Sequence, residues 1–160
     1  MKMSAQYIYN SAPLGSLIRF SNGEPRPPQR FTRKLRAWND ENGMGRLIEK
    51  VAGRSSGAYP SPATFALHIG NYGSQGTILM VVRRIYTVTS PLRFEVADQP
   101  KAGMVRILSR RDGREELHHL APDLAPAEAW SAEHRYHGAI MEVVAEPDIV
   151  MPPLEFGRAA

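Results

Sequence analysis

The chain contains no cysteine. Disulfides, thiolate metal sites and cysteine nucleophiles are excluded together, and a cytoplasmic location is expected. Long apolar runs are missing as well. The longest aliphatic stretch, Ile78-Leu79-Met80-Val81-Val82, falls far short of the roughly 20 residues that a membrane helix needs. No apolar segment follows Lys2 at the start, so neither export nor a membrane partner is expected. The sequence also lacks the Gly-x-Ser-x-Gly elbow of a serine hydrolase. Its serines at 55, 56 and 61 fall in a loop-like stretch, whereas a catalytic serine must be held rigidly beside its base. The acid pairs Asp40-Glu41 and Glu115-Glu116 read as solvated faces rather than as a catalytic dyad. Together these absences point to a protein that is not an enzyme and needs no cofactor.

What is present is ordinary globular material. With 160 residues, 42% of them apolar and 22% charged, the chain can bury a sizeable core without a metal or a disulfide. The net charge of +4 is unevenly spread. Between Arg19 and Arg54 there are nine basic residues and four acids, so this stretch carries +5 and the remainder −1. A localised positive field attracts polyanions and speeds encounter with them. The cations are mostly arginine, 16 against 4 lysines, and the planar guanidinium fork suits phosphate and carboxylate. GC-rich codons, which favour Arg, Ala, Gly and Pro, are an alternative source of that ratio, but they do not explain the clustering.

Along the chain, Gln6–Asn10 reads as a short strand and Ser16–Ser21 as a second, followed by the turn pair Asn22-Gly23. Glu24–Pro28 is stiff and extended. A helix is expected from Pro28 to Asn42, with Phe31, Leu35 and Trp38 forming one apolar face. Arg46–Ala52 fits either a strand or a helical turn, and Gly53–Pro62 is a clear loop. Ala63–Ile69 and Thr77–Val88 form a hairpin around the glycine-rich segment 70–76. Leu92–Ala97, Met104–Ser109 and Glu115–Leu120 are further strands, a second helix spans Pro126–Tyr136, and Ala139–Val144 closes the set. The expected fold is α+β, a twisted, mainly antiparallel sheet of about seven or eight strands with two helices. It forms a single domain over residues 1–146. Within it, loop 53–62 joins a basic N-terminal half (1–54) to a C-terminal half (63–146). A proline-rich tail follows at 147–160, with Val150, Met151, Leu154 and Phe156 as apolar points suited to closing a homodimer.

The strongest constellation is basic. Arg26, Arg30, Arg33, Lys34 and Arg36 on and before the first predicted helix, with Arg46 and Arg54 beyond it, suit nucleic-acid phosphates or an acidic protein surface. The function this favours is a small binding protein, an inhibitor or accessory factor of bacterial or mobile-element origin, acting on nucleic acid or a nucleic-acid-processing complex. The spacing Gly70-x-x-Gly73-x-x-Gly76 looks like a phosphate loop, but a strand rather than a helix follows it. A contact loop presenting Tyr72 is the better use. Four histidines lie close in sequence: His118, His119, His134 and His137. As neighbours on a strand, His118 and His119 are expected on opposite faces, so one of them could join His134 and His137 in a zinc site with Glu133 as base. The enzymatic alternative is therefore a metal-assisted or small-ligand enzyme using these C-terminal histidines. An assembly protein dimerising through its tail is the structural one.

Overall fold

The computed structural model describes residues 3–55, 57, 59–72 and 78–145, with side chains except at 70–72 and 78–81. Eight strands and three helices follow in the order α1 (Ala5–Ser11), β1 (Leu17–Ser21), α2 (Thr32–Glu41), β2 (Gly43–Val51), β3 (Thr64–Tyr72), β4 (Ile78–Thr87), β5 (Arg93–Asp98), β6 (Val105–Arg111), β7 (Arg114–Ala121), α3 (Leu124–Glu133) and β8 (Ile140–Val143). All described strand pairs are antiparallel. The main path through the sheet is β4-β3-β2-β7-β6-β8, and β1 bridges β2 to β5. The α+β sheet expected from the sequence is therefore present, and strands from both sides of loop 53–62 share it. No described helix is long and apolar enough to cross a membrane.

The first segment departs from expectation. Residues 6–10 are helical because Ala5, Ile8 and Ala12, all fully buried, repeat at helical rather than strand spacing. Ser4 caps the helix by accepting from the Tyr7 amide at 3.2 Å. The ambiguous segment 46–52 is part of β2, decided by its pairing with β1, β3 and β7. The third helix begins at Leu124 rather than Pro126, since Asp123 caps it through the Ala125 amide. It ends at Glu133, leaving Tyr136 beyond its last turn. The β6–β7 hairpin turns on Asp112 and Gly113, both at positive φ (51° and 76°), the conformation of a two-residue type I′ turn.

Side chains pack on both faces of the sheet. One core joins α1 to Ile18, Phe20, Leu47, Phe65, Leu67, Phe94, Leu108 and Leu117. Within it the rings of Phe20, Phe65, Tyr86 and Phe94 make edge and tilted contacts with centroids 5.3–5.8 Å apart. The second core sets Ala127 and Trp130 of α3 against Val105, Ile107 and Ala121. Strand alternation in β6 feeds both: Val105 and Ile107 face α3, while Arg106 and Leu108 turn to the first core. Arg106 is tolerated there because Nε donates to the Leu14 carbonyl at 2.8 Å and Nη1 pairs with Glu142 at 3.0 Å.

The sheet is not a simple ladder around β2. Since β3 lies along one edge of β2, β1 and β7 must divide the other. β1 takes Gly43–Arg46 and β7 takes Glu49–Val51. The sheet forks at that point, and β7 continues past Glu116 without β2 beside it.

Candidate functional site

The expected basic helix is real but shorter and less embedded than its pattern implies. Pro28 to Arg30 form a turn, with the Phe31 amide donating to the Pro28 carbonyl at 3.0 Å. Helix α2 starts only at Thr32, and none of its residues is buried. Phe31 caps it outside the helical conformation (φ −90°, ψ 76°) and is 41% exposed, so it does not complete an apolar face. Its ring lies under two cations, with Arg30 Cζ at 4.9 Å and Lys34 Nζ at 5.2 Å from the centroid. The helix is tethered instead by polar contacts. Trp38 Nε1 donates to the Glu24 carbonyl at 2.9 Å, and Asn42 bonds to both Asn22 and the Trp38 carbonyl. The acids at its carboxyl end, where the helix dipole disfavours them, are answered by Arg84 on Asp40 and by the Asn22 amide on Glu41.

Carboxylates hold some of the arginines of the sheet and leave a cluster of cations on and before α2 open. Arg19, Arg83, Arg84, Arg106, Arg110 and Arg114 are each tied to a carboxylate. Glu115 and Glu116, expected as a plain solvated pair, are partners of Arg110 and Arg83. Arg26, Arg30, Arg33, Lys34 and Arg36 are exposed, and none has a carboxylate partner among the described residues. The amino end of α2 has neither a side-chain cap nor an acid in its first turn, which adds the positive end of its dipole. Beside these cations runs a groove of about 590 Å³ lined by Trp38, Pro25, Pro27 and Lys34 together with the acids Glu24, Asp40 and Glu41.

Of the seven basic residues expected at one surface, Arg46 and Arg54 lie outside α2 and its lead-in. Arg54 belongs to the 53–62 loop, where its backbone bridges to Ser61. Arg46 projects from β2 into a cleft of about 540 Å³ at the sheet fork. Proximity in sequence joins Arg46 to the helix, but the groove beside α2 and the fork cleft share no lining residue.

The fork cleft also holds His118 and His119, both from β7. A regular strand would place these neighbours on opposite faces, and a β-bulge overturns that expectation. Ile107 pairs with His119 but Leu108 with Leu117, so His118 is an extra residue in β7. Leu117 and Leu120 turn to the first core, while both imidazoles turn to the α3 side. There His118 stacks on Tyr136 (4.4 Å, 10°) and His119 on Trp130 (4.8 Å, 4°). His134 stacks on Trp130 as well, at 4.2 Å and 11°. The His119 imidazole is held below its ordinary pKa, first by burial and then by the nearby His134.

This arrangement is unlike a zinc site. A metal needs in-plane nitrogen lone pairs meeting at a point, whereas these rings offer one another their faces. Ring nitrogens are also engaged: His118 Nε2 lies 3.0 Å from Ser109 Oγ, and His134 Nδ1 lies 3.1 Å from the Trp130 carbonyl. Among the described residues no group of three or more His, Cys, Asp or Glu side chains could hold a metal ion. His137 lines a neighbouring cleft with Arg110, Arg111 and Tyr136, which shares His118 with the fork cleft, and Glu133 is an exposed residue closing α3. Sequence reasoning missed Trp130 and Tyr136 as partners of the histidines. The available signal is Leu117 and Leu120, two core residues at an odd spacing on one strand. The Tyr72 side chain, residues 73–77 and the tail from 146 lie outside the described residues.

A family model described as "Uncharacterised conserved protein UCP036055" matches residues 3–148. Comparison with curated proteins and with solved structures gives no match.

Proposed function

The chain belongs to that family, and we propose that it is a small non-enzymatic protein that binds nucleic acid through the exposed face of α2. The observation carrying this reading is the clustering of exposed, unpaired cations on one short segment. Arg26, Arg30, Arg33, Lys34 and Arg36 fall within eleven residues, all are exposed, and none has a carboxylate partner among the described residues. Unpaired surface cations are costly only through mutual repulsion, and a phosphate backbone relieves that repulsion while releasing counterions. The half-exposed Phe31 ring beside Arg30 adds a stacking surface. On this reading the protein works in the cytoplasm as an accessory or inhibitory factor of a nucleic-acid-processing complex, and sequence-independent phosphate contact dominates its affinity.

The test is binding of a labelled mixed-sequence nucleic acid to nuclease-treated protein. Arg30→Glu, Arg33→Glu and Lys34→Glu together should abolish binding while leaving the melting temperature unchanged, because α2 has no buried residue. Unchanged binding by the triple variant contradicts the proposal. The same exposed cations around the half-exposed Phe31 ring favour a second reading, an acidic protein segment with an apolar anchor. A protein that ignores nucleic acid at low salt but retains an acidic partner supports that reading instead.

A further inference from the structure

We propose that the fork cleft is a second, independent site, one that takes a small organic phosphate with an aromatic or apolar body. Its volume of about 540 Å³ lies within the roughly 300–1,000 Å³ range of small-molecule sites. The lining divides by chemistry. Arg46 and Lys101 supply positive charge against the single carboxylate of Asp98, and Ile48, Met104, Leu117 and Leu120 supply apolar surface. His68, His118 and His119 complete the wall.

What makes this a prepared site is the hold on Arg46. Its Nη1 donates to the Gly15 carbonyl at 2.6 Å, which orients the guanidinium and leaves its other donors without a protein partner among the described residues. Gly15 has φ +96°, and a Cβ there would lie 2.9 Å from Pro100 Cγ. Only glycine brings that carbonyl into place, and Pro100 is itself part of the cleft lining. An arginine held at one end presents its remaining N–H groups as a fork for phosphate oxygens, and Lys101 adds a mobile point charge. The bulge and the stacked rings of Trp130 and Tyr136 fix His118 and His119 in the same way. Each imidazole is backed by an aromatic face; Ser109 occupies His118 Nε2 and leaves its Nδ1, while no hydrogen bond to the His119 ring is found among the described residues.

The test is titration of the full chain with adenosine monophosphate, phenyl phosphate and inorganic phosphate, followed by calorimetry and by the imidazole NMR signals of His118 and His119. The two aromatic phosphates should bind and shift both imidazoles, and inorganic phosphate should bind at least about tenfold more weakly. Loss of one charge-assisted contact corresponds to about tenfold or more in affinity. Arg46→Gln and the exposed-site variant Lys101→Gln should each show that loss, the second without risk to the fold. The triple reversal on α2 should leave this binding unchanged, which separates it from the nucleic-acid reading. Absence of binding by either aromatic phosphate at millimolar concentration overturns the proposal. So does equal affinity for inorganic phosphate, or undiminished binding by Lys101→Gln.

Discussion

His118 and His119 are adjacent in the chain yet turn to the same side of the sheet, the first against Tyr136 at 4.4 Å and the second against Trp130 at 4.8 Å. A regular strand forbids this, and the extra residue of the β7 bulge permits it. The bulge thus joins the sheet fork, the ring stack and the cleft into one structural unit.

The His119 imidazole should titrate below its ordinary value of about 6.5, because burial first and the charge of His134 second disfavour its protonation. Folding then disfavours the proton, so the unfolded chain binds more protons and stability falls as pH drops through that ordinary value. NMR titration of the His119 ring reads the pKa directly. His134→Gln should move it upward; an unchanged value would show that burial acts alone.

Glu142 sits between Arg106 (3.0 Å) and Arg110 (2.9 Å). Burial alone would raise its carboxyl, but hydrogen bonds and charge from Arg110 and Arg106 outweigh that and hold it below the ordinary range. Its contribution to stability is complete above the unfolded value of about 4.3 and is lost as pH falls below it toward the folded value. Glu142→Gln should lower the melting temperature at neutral pH and flatten the acid limb of the stability curve. An acid limb as steep as that of the parent would refute the assignment.

Gly15→Ala should destabilise the chain by about 1–3 kcal/mol, the order expected for a side chain forced to positive φ, with the Pro100 contact at 2.9 Å adding to it. The same substitution should weaken any anion binding at Arg46, since the carbonyl that orients it would shift. Denaturant unfolding with both circular dichroism and tryptophan fluorescence measures the first effect. Gly23→Ala is the control, with positive φ but no atom within 4 Å of the added Cβ.

The sheet is legible in the sequence because β-branched and aromatic runs separated by glycine and proline report strands directly, as in β3, β4 and β6. Sequence reasoning fails where local propensity and tertiary context disagree. Tyr7, Ile8 and Tyr9 favour a strand by propensity, but burial of Ala5, Ile8 and Ala12 against the first core selects a helix. Phe31 matches the apolar period of α2 and yet caps the helix in solvent, because α2 has no partner surface that reaches it. The unpaired cations of α2 are readable from composition, whereas the separation of Arg46 from them is not. That depends on how β1 and β7 divide one edge of β2, a non-local fact no spacing in the chain records. Likewise, the ring partners of the histidines come from segments after β7, and only the odd spacing of Leu117 and Leu120 hints at the bulge that admits them.

The most direct measurement is the salt dependence of nucleic-acid binding for the parent chain and the Arg30, Arg33, Lys34 triple reversal. Each phosphate neutralised on a duplex contributes a slope of about −0.9 in log affinity against log salt. A steep negative slope in the parent, falling by about 2.7 or vanishing with the binding itself in the variant, is the predicted result. No binding at low salt, or a slope the reversal leaves untouched, would contradict the assignment of α2 as the nucleic-acid surface.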